Sequence, residues 1–145
     1  MGYRRDRVQP EISAEARDIA LDVESIRSYC LSLPHATEDI QWGSDLLFRV
    51  GGKMFSLVPL DASVPNRLLF QCTPEKFAEL VEREGVIPAP YLARHNWVAI
   101  QSFDGVNKSE VKALIRQSYD MVLGKLPKKI REGLPEKAKR KSKRR

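Results

Sequence analysis

The sequence predicts a single α+β domain, and three features carry that prediction. Two short β-rich runs, Asp45–Val50 and Lys53–Pro59, flank Gly51-Gly52, which reads as a tight hairpin. Two later segments open on helix-capping residues and repeat apolar residues at helical spacing. The chain has 145 residues, 42% hydrophobic and 30% charged, which fits one soluble globular unit with a polar appendage.

Residues 1–20 read as a mobile leader, with room for a short helix after Ser13. The first helix is expected over Asp22–Leu33. Asp22 is a suitable N-cap, Val23, Ile26, Cys30 and Leu33 share a face, and Pro34 stops it. A loop or short strand follows over His35–Gly43, and then the hairpin. A two-residue Gly-Gly loop favours a type I′ turn, which pairs Val50 with Lys53, Arg49 with Met54 and Phe48 with Phe55. Strict alternation then puts Leu46, Phe48, Val50, Lys53, Phe55 and Leu57 on the core face, with Lys53 at its rim.

Asp61–Asn66 is a polar turn, and Arg67–Cys72 reads as a third strand. Thr73-Pro74-Glu75 starts a helix: a capping hydroxyl, proline at the first helical position and an acid in the first turn. Phe77, Leu80 and Val81 form its buried face, and Gly85 is its expected stop. The prolines at 88 and 90 make Val86–Arg94 read as loop, and Asn96–Gln101 as another strand. Asn107 and Glu110 form a capping-box-like pair opening the last long helix, whose apolar face is Val111, Leu114, Ile115, Tyr119 and Val122. Gly124 and Pro127 close it, and Lys128–Leu134 allows a further turn or two. Residues 135–145 hold no apolar side chain larger than Ala past the proline and read as a disordered basic tail; residues 21–134 are the domain.

The net charge of +6 is unevenly placed. Residues 1–124 hold 14 Lys/Arg against 17 Asp/Glu, net −3, whereas residues 125–145 hold 11 against two, net +9. The basic character therefore belongs to the C-terminal segment and does not imply a phosphate-binding surface over the whole body. The absence of a long apolar run and of a signal-peptide core makes the cytoplasm the expected location and a membrane partner unexpected. Cys30 and Cys72 read as reduced, packed thiols.

No catalytic pattern emerges. Gly52-Lys53 is not a phosphate loop, because Leu47 stands where the first glycine is needed and Met54 where Ser or Thr is needed. There is no nucleophile elbow, no zinc-protease motif and no paired-cysteine motif, and His35 and His95 lie 60 residues apart. The expectation is a non-enzymatic protein with no cofactor and no metal. What remains is the basic-tipped hairpin, with Arg49 and Lys53, and the aromatic residues near charge: Trp42, and Tyr91 and Trp97 beside Arg94 and His95. Each has a bland alternative, solvated charge or ordinary packing.

Four stretches in order resemble the MmcQ/YjbR-like family: DVESIRSYCLSLPHATED, FRVGGKMFSL, LLFQCTPEKFAEL and GVIPAPYLARHNWVAI. The resemblance spans roughly Leu21–Leu126, and the PAPYLAR…WV run is its most specific part. It implies a compact antiparallel sheet with packed helices, the double-wing arrangement, and a protein commonly described as predicted DNA-binding. Trp42, Lys53, Tyr91, Arg94 and Trp97 match the family pattern, while Gln71 stands where the pattern usually has lysine. On that reading the protein has a regulatory role. Arg49, Lys53, Arg94 and His95 contact DNA, and Lys137, Lys139, Arg140, Lys141, Lys143, Arg144 and Arg145 anchor it electrostatically. The competing expectation is a small-molecule or protein-binding module, with Trp42, Phe55, Tyr91 and Trp97 lining a groove and Lys53 or Arg94 holding an anionic group.

Overall fold

The computed structural model describes residues 14–134, with side chains from Val23 onward. The expected leader over residues 1–13 and the tail over residues 135–145 lie outside the described residues. Helix α1 runs Ala14–Ser32, longer than expected, because AEARDIAL is rich in strong helix formers and Asp22 sits inside the helix rather than capping it. Strands β1 (Thr37–Gln41), β2 (Asp45–Val50), β3 (Lys53–Pro59) and β4 (Leu68–Gln71) follow. Helix α2 (Pro74–Leu80), β5 (Val86–Pro88), β6 (Trp97–Ile100), α3 (Lys108–Lys125) and α4 (Lys128–Glu132) complete the chain, with short 3-10 turns at Ala93–His95 and Phe103–Gly105.

The strands form one six-stranded sheet in the order β1-β2-β3-β4-β6-β5. Every neighbouring pair is antiparallel. Val86–Pro88, expected as loop, pairs with β6 as the edge strand, a position where a proline removes no hydrogen bond the sheet needs. Val81 caps α2 at its C-terminus, so Gly85 does not end that helix. At φ +88° Gly85 instead turns the chain into β5, and its carbonyl accepts from Gln101 N–H at 2.7 Å.

The hairpin turn has positive φ at both glycines, +59° and +83°, as a type I′ turn requires. Val50 faces Lys53 and Arg49 faces Met54, but Phe48 faces Ser56 rather than Phe55. Phe55 is the extra residue of a β-bulge, and it resets the alternation beyond it. Phe55, Ser56 and Val58 therefore lie on the helix side, while Met54 and Leu57 lie on the other. Ser118 of α3 secures the bulge: its buried hydroxyl donates to the Phe55 carbonyl at 2.7 Å and accepts from Gln71 N–H at 3.1 Å.

Helices α1, α2 and α3 pack against one face of the sheet. Ile26, Cys30 and Leu33 of α1, Leu80 of α2 and the Val111–Val122 stripe of α3 meet Phe48, Phe55, Phe70 and Ile100 there. Phe55 and Tyr119 stack edge to face with centroids 5.3 Å apart, and Tyr119 donates to the Pro34 carbonyl at 2.6 Å. Cys30 and Cys72 are both free and buried; burial pushes their thiols up to about 12 and about 11, so neither is a ready nucleophile at neutral pH.

Thr73 caps α2 by accepting from Lys76 N–H, and Asn107 caps α3 by accepting from Glu110 N–H. The second half of the expected capping box is absent, because the Glu110 carboxylate binds Arg83 through two hydrogen bonds of 2.9 and 2.8 Å. Arg83 also reaches Glu79 at 2.7 Å and the Gly105 carbonyl at 3.1 Å, tying α2 to the start of α3. Its guanidinium holds the Glu110 carboxyl below the usual range. Among the described residues no helix is long and apolar enough to cross a membrane.

Candidate functional site: a basic end and an aromatic groove

The register decides which charged residues share a surface. Lys53 opens β3, Gln71 closes β4 and Trp97 opens β6, and the pairings Leu57–Leu69 and Gln71–Trp97 bring all three to one end of the sheet. The Ala93–His95 turn precedes Trp97, so Arg94 and His95 lie at that end too, with β6 two strand spacings, about 10 Å, from β3. Gln71 donates to the His95 carbonyl at 3.0 Å and so holds this turn in place.

The C-terminal end of α3 arrives at the same place. Leu126 packs on the hairpin turn so closely that a Cβ on Gly51 would lie 2.4 Å from its Cδ1. Lys125 ends α3 here, and α4 adds Lys128, Lys129 and Arg131. Lys128 pairs with Glu132 at 3.9 Å, and Arg131 donates to the Gly124 carbonyl at 3.4 Å. Lys53 and Arg94 are exposed and have no ion-pair partner among the described residues. Arg49 behaves differently: it is half-buried, donates to Asp39 Oδ1 at 3.0 Å and to the Gly52 carbonyl at 3.2 Å, and its charge is answered within the fold. The cations at Lys137–Arg145 lie outside the described residues.

The second feature lies on the face that carries no helix. One register row runs Leu47–Leu57–Leu69–Ala99–Ile87 across five strands and forms an apolar floor. Ala89, Leu92 and Trp97 cover part of it. A groove of about 480 Å3 stays open beside them, floored by Met54, Leu57 and Leu69. Trp42 and Asp45 stand on one rim and Pro90 and Tyr91 on the other. Trp42 is 69% exposed and Tyr91 100% exposed. Both hold left-handed backbone, at φ +51° and +67°, a conformation that bulky residues seldom adopt.

The groove differs from the expected one. Phe55 is fully buried against Tyr119 on the opposite face, the core face that strict alternation also gives it. Trp97 is on the correct face but sits beneath Leu92 and Ala89, 5% exposed. Neither Lys53 nor Arg94 lines the groove; its charged residue is Asp45. Among the described residues no group of three or more His, Cys, Asp or Glu is placed to hold a metal ion.

A family model described as YjbR matches residues 31–121, more than half of the chain. The chain belongs to the YjbR family. Its fold is similar to that of the Deinococcus radiodurans protein DR2400, described by a DUF419 domain, at 31% identity and TM-score 0.67, over 79% of this chain and 89% of that one. A Pseudomonas syringae protein shares the fold at 16% identity and TM-score 0.56, over 68% of this chain and 97% of its own. No protein with a curated description matches.

For this YjbR chain, Asp45, Ser118 and the α4 cations escaped the reading of the residues alone. Asp45 reads only as a strand start, and Ser118 falls between the apolar positions of the last long helix without a signal of its own. The Trp42-Gly43 and Pro90-Tyr91 pairs were the available signals for turns that hold aromatic rings outward, since both rings follow or precede a chain-reversing residue.

Proposed function

We propose that this YjbR-family protein is a non-enzymatic DNA-binding protein that holds the phosphate backbone with the basic end of its sheet. One observation carries the reading: strand register and the Leu126–Gly51 contact gather Lys53, Arg94, Lys125, Lys129 and Arg131 at a single end. Glu75, in the first turn of α2, is the acid there without an ion-pair partner among the described residues. The seven cations of Lys137–Arg145 come after α4 in the sequence and would add to the same charge. These contacts are to phosphate and give affinity without sequence preference. Arg49 takes the part of a hairpin brace, not of a phosphate ligand.

The test is duplex binding as a function of salt, for the full chain and for the same chain with its seven tail cations changed to Gln. Lys53→Ala and Lys129→Ala are then made in each. The tail-neutralised chain is expected to bind at low salt, and each lysine substitution to flatten its log–log salt slope by about 1. No binding at low salt by the tail-neutralised chain would mean that the folded body is not a DNA reader.

A further inference from the structure

The groove on the helix-free face is chemically unlike the basic end. Its ionisable residues are Asp45 and Tyr91, and no Lys, Arg or His lines it. The Asp45 carboxylate has no hydrogen-bond or ion-pair partner among the described residues, so its charge is unanswered within the fold. Two aromatic rings stand at the rim, 69% and 100% exposed, on left-handed backbone that bulky residues seldom adopt. The floor of Met54, Leu57 and Leu69 offers no polar side chain.

We infer that this groove binds a small organic cation, an ammonium bearing methyl groups and an apolar substituent. The ring faces of Trp42 and Tyr91 present negative quadrupole potential to the methylated nitrogen, the most favourable setting for a weakly hydrated cation. Asp45 supplies the balancing charge at the rim, and the leucine floor receives the apolar substituent. The volume suits a ligand of drug-like size, since such pockets span roughly 300–1,000 Å3. Anions, DNA phosphate included, are disfavoured here by Asp45, which reverses the anionic ligand expected from Lys53 and Arg94.

Benzyltrimethylammonium is the probe, followed by calorimetry on the full chain and by tryptophan fluorescence, with the Trp42 share read as the difference from Trp42→Ala. Its uncharged isostere neopentylbenzene and benzenesulfonate are the controls. The cation is expected to bind, the isostere at least about tenfold more weakly, and the anion not measurably. Trp42→Ala, Tyr91→Ala and Asp45→Asn are each expected to weaken the cation by about tenfold, with the far-ultraviolet spectrum unchanged. Equal binding of the isostere, or full affinity in Asp45→Asn, overturns the proposal and leaves an apolar groove. Binding of trimethyllysine only within a peptide, with no binding of the free ammonium, overturns it in favour of a protein partner. The same variants leave the basic end intact, so loss here and loss of DNA binding are separate results.

Discussion

On the helix-covered face of the sheet Phe48, Phe55 and Phe70 are each 0% exposed; on the other, Trp42 and Tyr91 stand 69% and 100% exposed. The same chain thus hides three rings completely and holds two in solvent, in a backbone conformation that disfavours them. Burying a ring of this size stabilises a fold by about 1.5–3 kcal/mol, so packing alone does not account for the second arrangement. The helix face carries the stability. The helix-free face, beyond the part covered by Ala89 and Leu92, leaves an open groove floored by apolar side chains.

The sharpest way to break this contrast is to truncate one ring from each face. Phe55→Ala removes the partner of Tyr119 and opens a cavity beneath the bulge, and is expected to cost about 3–5 kcal/mol in urea unfolding. Tyr91→Ala is expected to lie within about 0.5 kcal/mol of the parent. Comparable losses at the two sites would mean that the exposed ring is structural, and the groove would lose its claim to be a binding site.

A smaller effect tests whether the basic end is built as described. Gly52 has open space around its missing Cβ, whereas a Cβ on Gly51 would strike Leu126 at 2.4 Å. Gly52→Ala is therefore expected to cost about 1–2 kcal/mol for left-handed backbone alone. Gly51→Ala should cost about 1–3 kcal/mol more from overpacking. In a Leu126→Ala background that difference should vanish, because the two substitutions then differ only in backbone. A difference that survives would detach α3 and α4 from the hairpin, and with them the grouping of Lys125 and Lys129 around Lys53.

These outcomes also mark what was legible in the residues. The hairpin strands fall at Asp45–Val50 and Lys53–Pro59 as read, since Gly-Gly leaves one sensible turn and flanking runs of fixed length. The α3 stripe is equally plain, because Val111, Leu114, Ile115, Tyr119 and Val122 repeat at helical spacing and are all buried. The bulge at Phe55 was not legible: Met54-Phe55-Ser56-Leu57-Val58 lies between two covered faces, so either phase of alternation buries apolar residues. Strict alternation therefore keeps Phe55 on the core face, where it is found, but inverts Ser56, Leu57 and Val58. The expectation of Phe55 in the groove conflicted with its own core-face register. The Arg49–Asp39 pair was hidden for another reason, since it depends on β1 joining β2, and Thr37–Gln41 is mostly polar. The charge of the groove followed from topology as well, because Asp45 and Tyr91 lie far apart in sequence and meet only across folded strands.

The smallest expected effect is the most discriminating for the groove itself. Trp42 sits at φ +51° with its ring largely in solvent, so its side chain contributes little packing while its Cβ keeps the backbone strained. Glycine at this position removes the strain, and its greater freedom in the unfolded chain offsets part of the gain. Trp42→Gly is therefore expected to raise stability by about 0.5 kcal/mol in urea unfolding, a direction opposite to that of almost any other aromatic truncation. Trp42→Asn, which tolerates left-handed backbone, should fall between glycine and the parent. A loss of more than about 1 kcal/mol in Trp42→Gly would place the ring among the packing residues. A gain, combined with loss of ammonium binding, would identify Trp42 as a residue whose conformation costs the fold stability and serves the ligand.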